Sequence, residues 1–140
     1  MKSQSLTQNL FFILLFTILT TFVLSITCPQ EFTEEVNYTN AKERYTVSLK
    51  KPGKSSVENP IETHYTYLRD CMNRILVYSS QVDYYGKINN TKISENQDVI
   101  YILEIVNIYF GWFDPRYVDE KLSKLEIVNS AEKDQKVSIN

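Results

Sequence analysis

The side chains best suited to nucleophilic or acid–base chemistry are few: two cysteines, Cys28 and Cys71, and a single histidine, His64. A catalytic thiol or hydroxyl needs a base within hydrogen-bond reach, and His64 has no serine or cysteine beside it in a recognisable motif. At helical spacing it falls toward Leu68 and Cys71, on the margin of an apolar stripe, which suits a packing or surface role. One histidine and two cysteines that pair with each other cannot assemble a zinc set. Glu31, Glu34, Glu35 and Glu43 read as a solvated acidic face. The pair Asp114 and Asp119 does not define the two-carboxylate constellation of a glycosidase. The sequence has no glycine-rich phosphate loop. These residues predict a protein that is not an enzyme and uses no cofactor and no metal.

The compartment is more legible than the chemistry. Lys2 is the only charged side chain before Glu31, and Leu10 to Leu24 is apolar apart from Thr17, Thr20 and Thr21. A positive start, an apolar block and small residues beyond it predict a secretory signal peptide over residues 1–27. Cleavage fits after Ser25 or after Thr27, and the alternative is a retained membrane anchor. The apolar run is at the short limit for crossing a bilayer, and no basic cluster follows it. After cleavage no stable membrane span is expected. Residues 28–140 then form a single small domain, secreted and extracellular, with a polar C-terminal tail.

An even cysteine count in an oxidising compartment predicts one disulfide, Cys28–Cys71. Asn37-Tyr38-Thr39 and Asn89-Asn90-Thr91 are acceptor triplets for N-glycosylation at Asn37 and Asn89, both among turn-forming residues. The formal net charge is −2, and no face gathers the Lys and Arg that phosphate neutralisation requires. Nucleic acid is therefore excluded as a partner, and a protein partner is favoured. Ten tyrosines offer recognition area with a polar tip at low entropic cost.

The elements that must position these residues follow from periodicity. Tyr45, Val47 and Leu49 alternate with Thr46 and Ser48, as a half-buried strand over 44–50 requires. Asn59-Pro60 is an N-cap followed by proline at the first helical position. Ile61, Tyr65, Leu68, Met72, Ile75 and Ser79 then recur at steps of three and four, predicting a helix from Pro60 to Ser80. Val82 to Lys92 predicts a broken strand, and Val99 to Phe110 a long central one, apolar on both sides. Gly111 to Pro115 reads as a turn, Leu122 to Val128 as a short strand, residues 28–43 as irregular and Ser130 to Asn140 as a frayed tail. Scarce glycine argues against a small barrel with many tight turns. The fold class is α+β: one long helix packed on an antiparallel sheet of three or four strands. An all-β sandwich fragment is the alternative.

Two families share short stretches with this chain. The strand–helix–strands order, with Gln97-Asp98-Val99 followed by Tyr101, Leu103 and Ile105, resembles the cystatins. Gln97 and Val99 match the start of their inhibitory hairpin, and Tyr101 stands where that hairpin has glycine. The resemblance implies a protein inhibitor of papain-like proteases, with Gln97, Val99, Tyr101, Trp112 and Pro115 as candidate partner-binding residues. Val106-Asn107-Ile108-Tyr109 with Trp112-Phe113-Asp114-Pro115-Arg116-Tyr117 is similar to a strand of the extracellular ligand-binding domain of Cys-loop receptors. That second resemblance implies a truncated ligand-binding module that binds a small ligand and oligomerises.

Overall fold

A computed structural model describes residues 3–20, 25–53, 59–81, 87–88, 91–92 and 97–135. Four α-helices occur among them: α1 (Ser3–Thr20), α2 (Gln30–Thr33), α3 (Pro60–Asp70) and α4 (Pro115–Glu120). The strands are β1 (Glu43–Leu49), β2 (Ile75–Tyr78), β3 (Lys87–Ile88), β4 (Thr91–Lys92), β5 (Val99–Leu103), β6 (Ile108–Phe113) and β7 (Val128–Lys133). β3 and β4 pair with each other. The other five make one sheet in the order β2-β5-β6-β1-β7. The α+β class is therefore correct, but the sheet has five strands and is mixed, because β2 runs parallel to β5.

β1 has the predicted alternation, with Tyr45, Val47 and Leu49 buried. Its neighbours on both sides are antiparallel: Val47 lies opposite Tyr109 of β6 and Ala131 of β7. The same face of the sheet carries Tyr109, Gly111 and Phe113 from β6 and Ile100 and Ile102 from β5. Against it pack Ile61, Tyr65 and Leu68 from α3, Tyr117 and Val118 from α4, Leu122, and Phe32 from α2. Gly111 has a packing reason to be glycine, since a Cβ there would meet Ile100 Cδ1 at 2.5 Å.

α3 starts where the sequence places it. The Asn59 side chain accepts from the N–H groups of Ile61 and Glu62 at 3.2 and 3.4 Å. It ends a full ten residues early, however. Cys71 caps the helix, the Arg74 N–H donates to the Leu68 carbonyl at 3.0 Å, and Asn73 adopts a left-handed φ of 59°. Asparagine tolerates that conformation better than most residues, and it reverses the chain. The stripe holds through Met72, but Ile75 is 56% exposed and belongs to β2, where β-branched and aromatic neighbours favour extended backbone.

The long strand predicted over 99–110 is two strands of a hairpin. A 3-10 turn over Glu104–Val106 and a left-handed Asn107 (φ 53°) separate β5 from β6 and leave Ile105 95% exposed. Gly111 to Phe113, read as a turn, completes β6, and Asp114-Pro115 instead caps and opens α4. Leu122–Lys124 is a 3-10 turn and no strand. The sheet's last strand begins at Val128 and takes in Ser130 to Lys133 of the supposed tail. Within 28–43, α2 and a 3-10 turn over Glu34–Asn37 replace irregular chain.

Candidate functional site

The predicted disulfide is formed: Cys28 and Cys71 are bridged with their Cα atoms 5.6 Å apart. It fastens the segment before α2 to the C-terminus of α3, and with it Phe32 and Glu35. Phe32 meets His64 and Tyr67 edge-on or tilted at 5.4 and 5.2 Å between ring centroids. Glu35, read from sequence as part of a solvated face, is only 5% exposed. Its carboxylate accepts from Arg74 Nη2 at 2.6 Å and lies 3.2 Å from Lys42 Nζ.

Arg74 is the hub of that arrangement and falls within the span predicted as helix to Ser80. The helix stops before it, and the left-handed Asn73 turns its side chain into the protein, where it is 4% exposed. Nη1 donates to the Gln97 carbonyl at 2.5 Å, and the guanidinium lies 5.5 Å from the centre of the Phe113 ring. One buried cation thus ties the N-terminal segment to the entry of β5 and the end of β6.

Those two strand ends hold the candidate partner-binding residues. Tyr101 lies opposite Phe110, and continuing that register puts Val99 beside Trp112. Gln97 and Trp112 therefore sit near one end of the sheet, with Pro115 at the first position of α4. Gln97 is exposed, and Tyr101, Trp112 and Pro115 are half-buried. Val99 is 8% exposed and packs instead of reaching solvent. Beside Tyr101 and Trp112 the sequence reading missed two residues. Phe110 stacks on Tyr101 at 6.1 Å, and the Arg44 guanidinium lies 5.2 Å above the Phe110 ring. Arg44 is opposite Trp112 in the register and is held by Asp134 at 2.9 Å. Tyr101, Phe110, Arg44 and Trp112 form one continuous row on the face of the sheet that looks away from α3. The signal for it was available in the alternation of β1, since Arg44 falls on the side opposite Tyr45 and Val47.

At the other end of that row, Asp114 is fully buried. Burial by itself would raise its pKa, but the N–H groups of Arg116 and Asn40 and the Arg116 charge outweigh this and hold it below the usual value. It is the N-cap of α4 and a clamp on the loop at Asn40.

His64 is 3% exposed, and Nε2 lies 3.0 Å from the Tyr109 hydroxyl. Burial pushes its pKa down to about 4 and pushes the Tyr109 phenol well up, so both are neutral in ordinary conditions. The ring forms part of a groove of about 450 Å³ with Phe32, Pro60, Tyr67, Leu125 and Ile127. A neutral imidazole bonded to a neutral phenol brings no charge to the groove, whose charged lining residues are Glu31 and Glu126. Among the described residues, no group of three or more His, Cys, Asp or Glu could hold a metal. No helix among them is long and apolar enough to cross a membrane. Asn37 is exposed at the end of the 3-10 turn after α2, and Asn89 lies outside the described residues.

No protein-family model matches the chain, and no curated protein or solved structure matches it either.

Proposed function

We propose that this is a secreted, glycosylated, non-catalytic binding protein that recognises a protein partner through the outer face of its sheet. The row Tyr101–Phe110–Arg44–Trp112 carries the proposal. Tyr, Trp and Arg are the side chains that dominate binding energy at protein interfaces, because they bury large areas while keeping a polar handle. Here they are side by side, partly exposed, and pre-ordered by stacking and by the Asp134 ion pair, which lowers the entropy lost on binding. Toward β7 the same face is polar: Ser48 and Ser130 bond to each other at 2.8 Å, and Thr46 Oγ1 donates to Asp134 at 2.6 Å. An aromatic centre with a polar border suits an interface that must also be soluble when free.

A papain-like protease is the specific partner class to test. The oxidised protein is titrated against a panel of such proteases, and complex formation is measured with wild type, Tyr101→Ala and Trp112→Ala. Each substitution should weaken the complex by at least about tenfold, the size expected of a buried aromatic anchor, with an unchanged circular dichroism spectrum. Absence of any complex across the panel removes the inhibitor form. Unchanged affinity in both variants removes the sheet face.

A further inference from the structure

The groove beside His64 lies on the α3 side of the sheet, away from the aromatic row. Its walls are Pro29 and Phe32 of the N-terminal segment, His64 and Tyr67 of α3, and Leu125 and Ile127 ahead of β7. Each wall is anchored. Cys28, next to Pro29, is bridged to Cys71, and the Phe32 ring lies against His64 and Tyr67. The Ile127 carbonyl accepts from the Lys50 N–H at 2.8 Å. At about 450 Å³ the groove is in the size range of small-molecule sites, which are mostly apolar with a few placed polar groups.

The placed polar group here is the second nitrogen of His64. The Tyr109 hydroxyl is fully buried, and its hydrogen-bond partner among the described residues is His64 Nε2 at 3.0 Å. Leaving a buried O–H without an acceptor is costly, so the phenol proton goes to Nε2. A neutral imidazole that accepts at Nε2 carries its own hydrogen on Nδ1. Burial lowers the ring's pKa to about 4, so the neutral form is the one present at neutral pH. Nδ1 has no hydrogen-bond partner among the described residues, where the Tyr65 hydroxyl is the one fully enclosed polar side-chain atom left unbonded. Nδ1 therefore keeps an opening although His64 is only 3% exposed, and the groove is the space that its ring lines.

We infer that this groove binds an uncharged, apolar small molecule bearing a carbonyl oxygen, which accepts from His64 Nδ1–H. Each requirement has a physical reason. A donor held almost out of water gains most from an acceptor that brings its own apolar cover. A ketone or ester has the lone pairs and no charge. A free carboxylate would meet Glu31 and Glu126 on the lining, and like charges repel. An ammonium ion has no lone pair to offer an N–H.

His64 is the only histidine, so its labelled ring nitrogens give unambiguous magnetic resonance signals in the whole oxidised protein. The free protein is expected to show a protonated Nδ1 and an unprotonated Nε2. Titration with 4-phenyl-2-butanone should shift the Nδ1–H signal saturably, downfield as a new hydrogen bond requires. Butylbenzene, with the same apolar body and no acceptor, should not move it downfield. Binding of 4-phenylbutanoate should be weaker than that of the ketone by about threefold or more, and should recover in the Glu31→Gln, Glu126→Gln double variant. The His64→Phe, Tyr109→Phe double variant removes both ends of the buried bond together, which is close to neutral for folding. It should weaken the ketone about fivefold and leave butylbenzene affinity unchanged. An Nε2–H tautomer in the free protein, ketone binding that leaves Nδ1–H unmoved, or carboxylate binding as tight as the ketone's overturns the inference. So does a folded His64→Phe, Tyr109→Phe variant that keeps its ketone affinity or loses ketone and butylbenzene equally. Absence of ketone binding at millimolar concentration also overturns it, and leaves the groove to an apolar peptide side chain.

Discussion

Replacing Glu35 by alanine is the sharpest test of how the N-terminal segment is held. The Arg74 side chain is 2% exposed and the Glu35 side chain 7%, so the pair is largely out of water. Removing one partner of such a pair typically destabilises by about 3–5 kcal/mol, because the other charge stays buried and uncompensated. Arg74 would keep the Gln97 carbonyl and the Phe113 ring face, whereas Asp98, at 3.9 Å and 73% exposed, adds little through solvent. Those remaining contacts put the expected loss for Glu35→Ala at the lower end, about 3 kcal/mol. Arg74→Met behaves differently. It removes the charge, retains an apolar stem, and leaves Glu35 near Lys42, so a loss of about 1–2 kcal/mol is expected from the missing hydrogen bonds. The double variant should then be no worse than Glu35→Ala alone. Urea unfolding read by far-ultraviolet circular dichroism and by Trp112 fluorescence measures all three, with constant denaturant slope as the check on two-state behaviour. A loss below about 1 kcal/mol for Glu35→Ala, or strict additivity in the double variant, would refute the buried-pair reasoning.

Three further outcomes are expected. Reducing the Cys28–Cys71 bridge opens a loop with a sequence separation of 43, and the chain-entropy model puts the loss near 4 kcal/mol; identical urea midpoints with and without reductant would contradict it. His64 has its pKa lowered from 6.5 to about 4 by burial, so the unfolded chain binds the proton more readily. Its stabilising effect is complete above pH 6.5 and disappears as pH falls toward 4, a difference of about 3 kcal/mol; His64→Gln should flatten that part of the stability–pH curve. Gly111→Ala forces a Cβ against Ile100 and against Phe113 Cε2 at 2.7 Å, and overpacking of this kind costs about 1–3 kcal/mol, readable as a lowered thermal midpoint.

The parts of this fold that local patterns dictate were legible: the alternation of β1, the Asn59-Pro60 start of α3, and the pairing of the only two cysteines. The misreadings of the long helix and the long strand have one common cause. Met72 and Ile75 keep the helical interval, so the stripe alone cannot say that Asn73 turns left-handed between them. Likewise Val99 to Phe110 has apolar residues throughout, and nothing in their types marks Asn107 as a reversal. Both breaks occur at left-handed asparagines, and at Asn107 a tertiary contact holds the turn, where the carbonyl accepts from Leu49 N–H at 2.9 Å. The burial of Glu35 and Arg74 depends on those breaks, and so it stayed hidden as well. Of the candidate site, Tyr101 and Trp112 were found by motif, whereas Arg44 and Phe110 join them only through cross-strand register.

The order of pairing in the sheet sets a timetable for the chain. β1 occupies residues 43–49, yet its partners begin at Ile108 and Val128. As the polypeptide emerges from the ribosome, β1 must wait, unpaired on both edges, until β6 has been made, and on its β7 edge until almost the last residue described here. Contacts between segments so far apart in sequence form slowly and expose strand edges in the meantime. The bridge between Cys28 and Cys71 has no such delay, because both cysteines precede β2. It can close early and keep the unpaired strand beside α3, so the covalent link would act as a folding restraint before it acts as a support for the finished molecule.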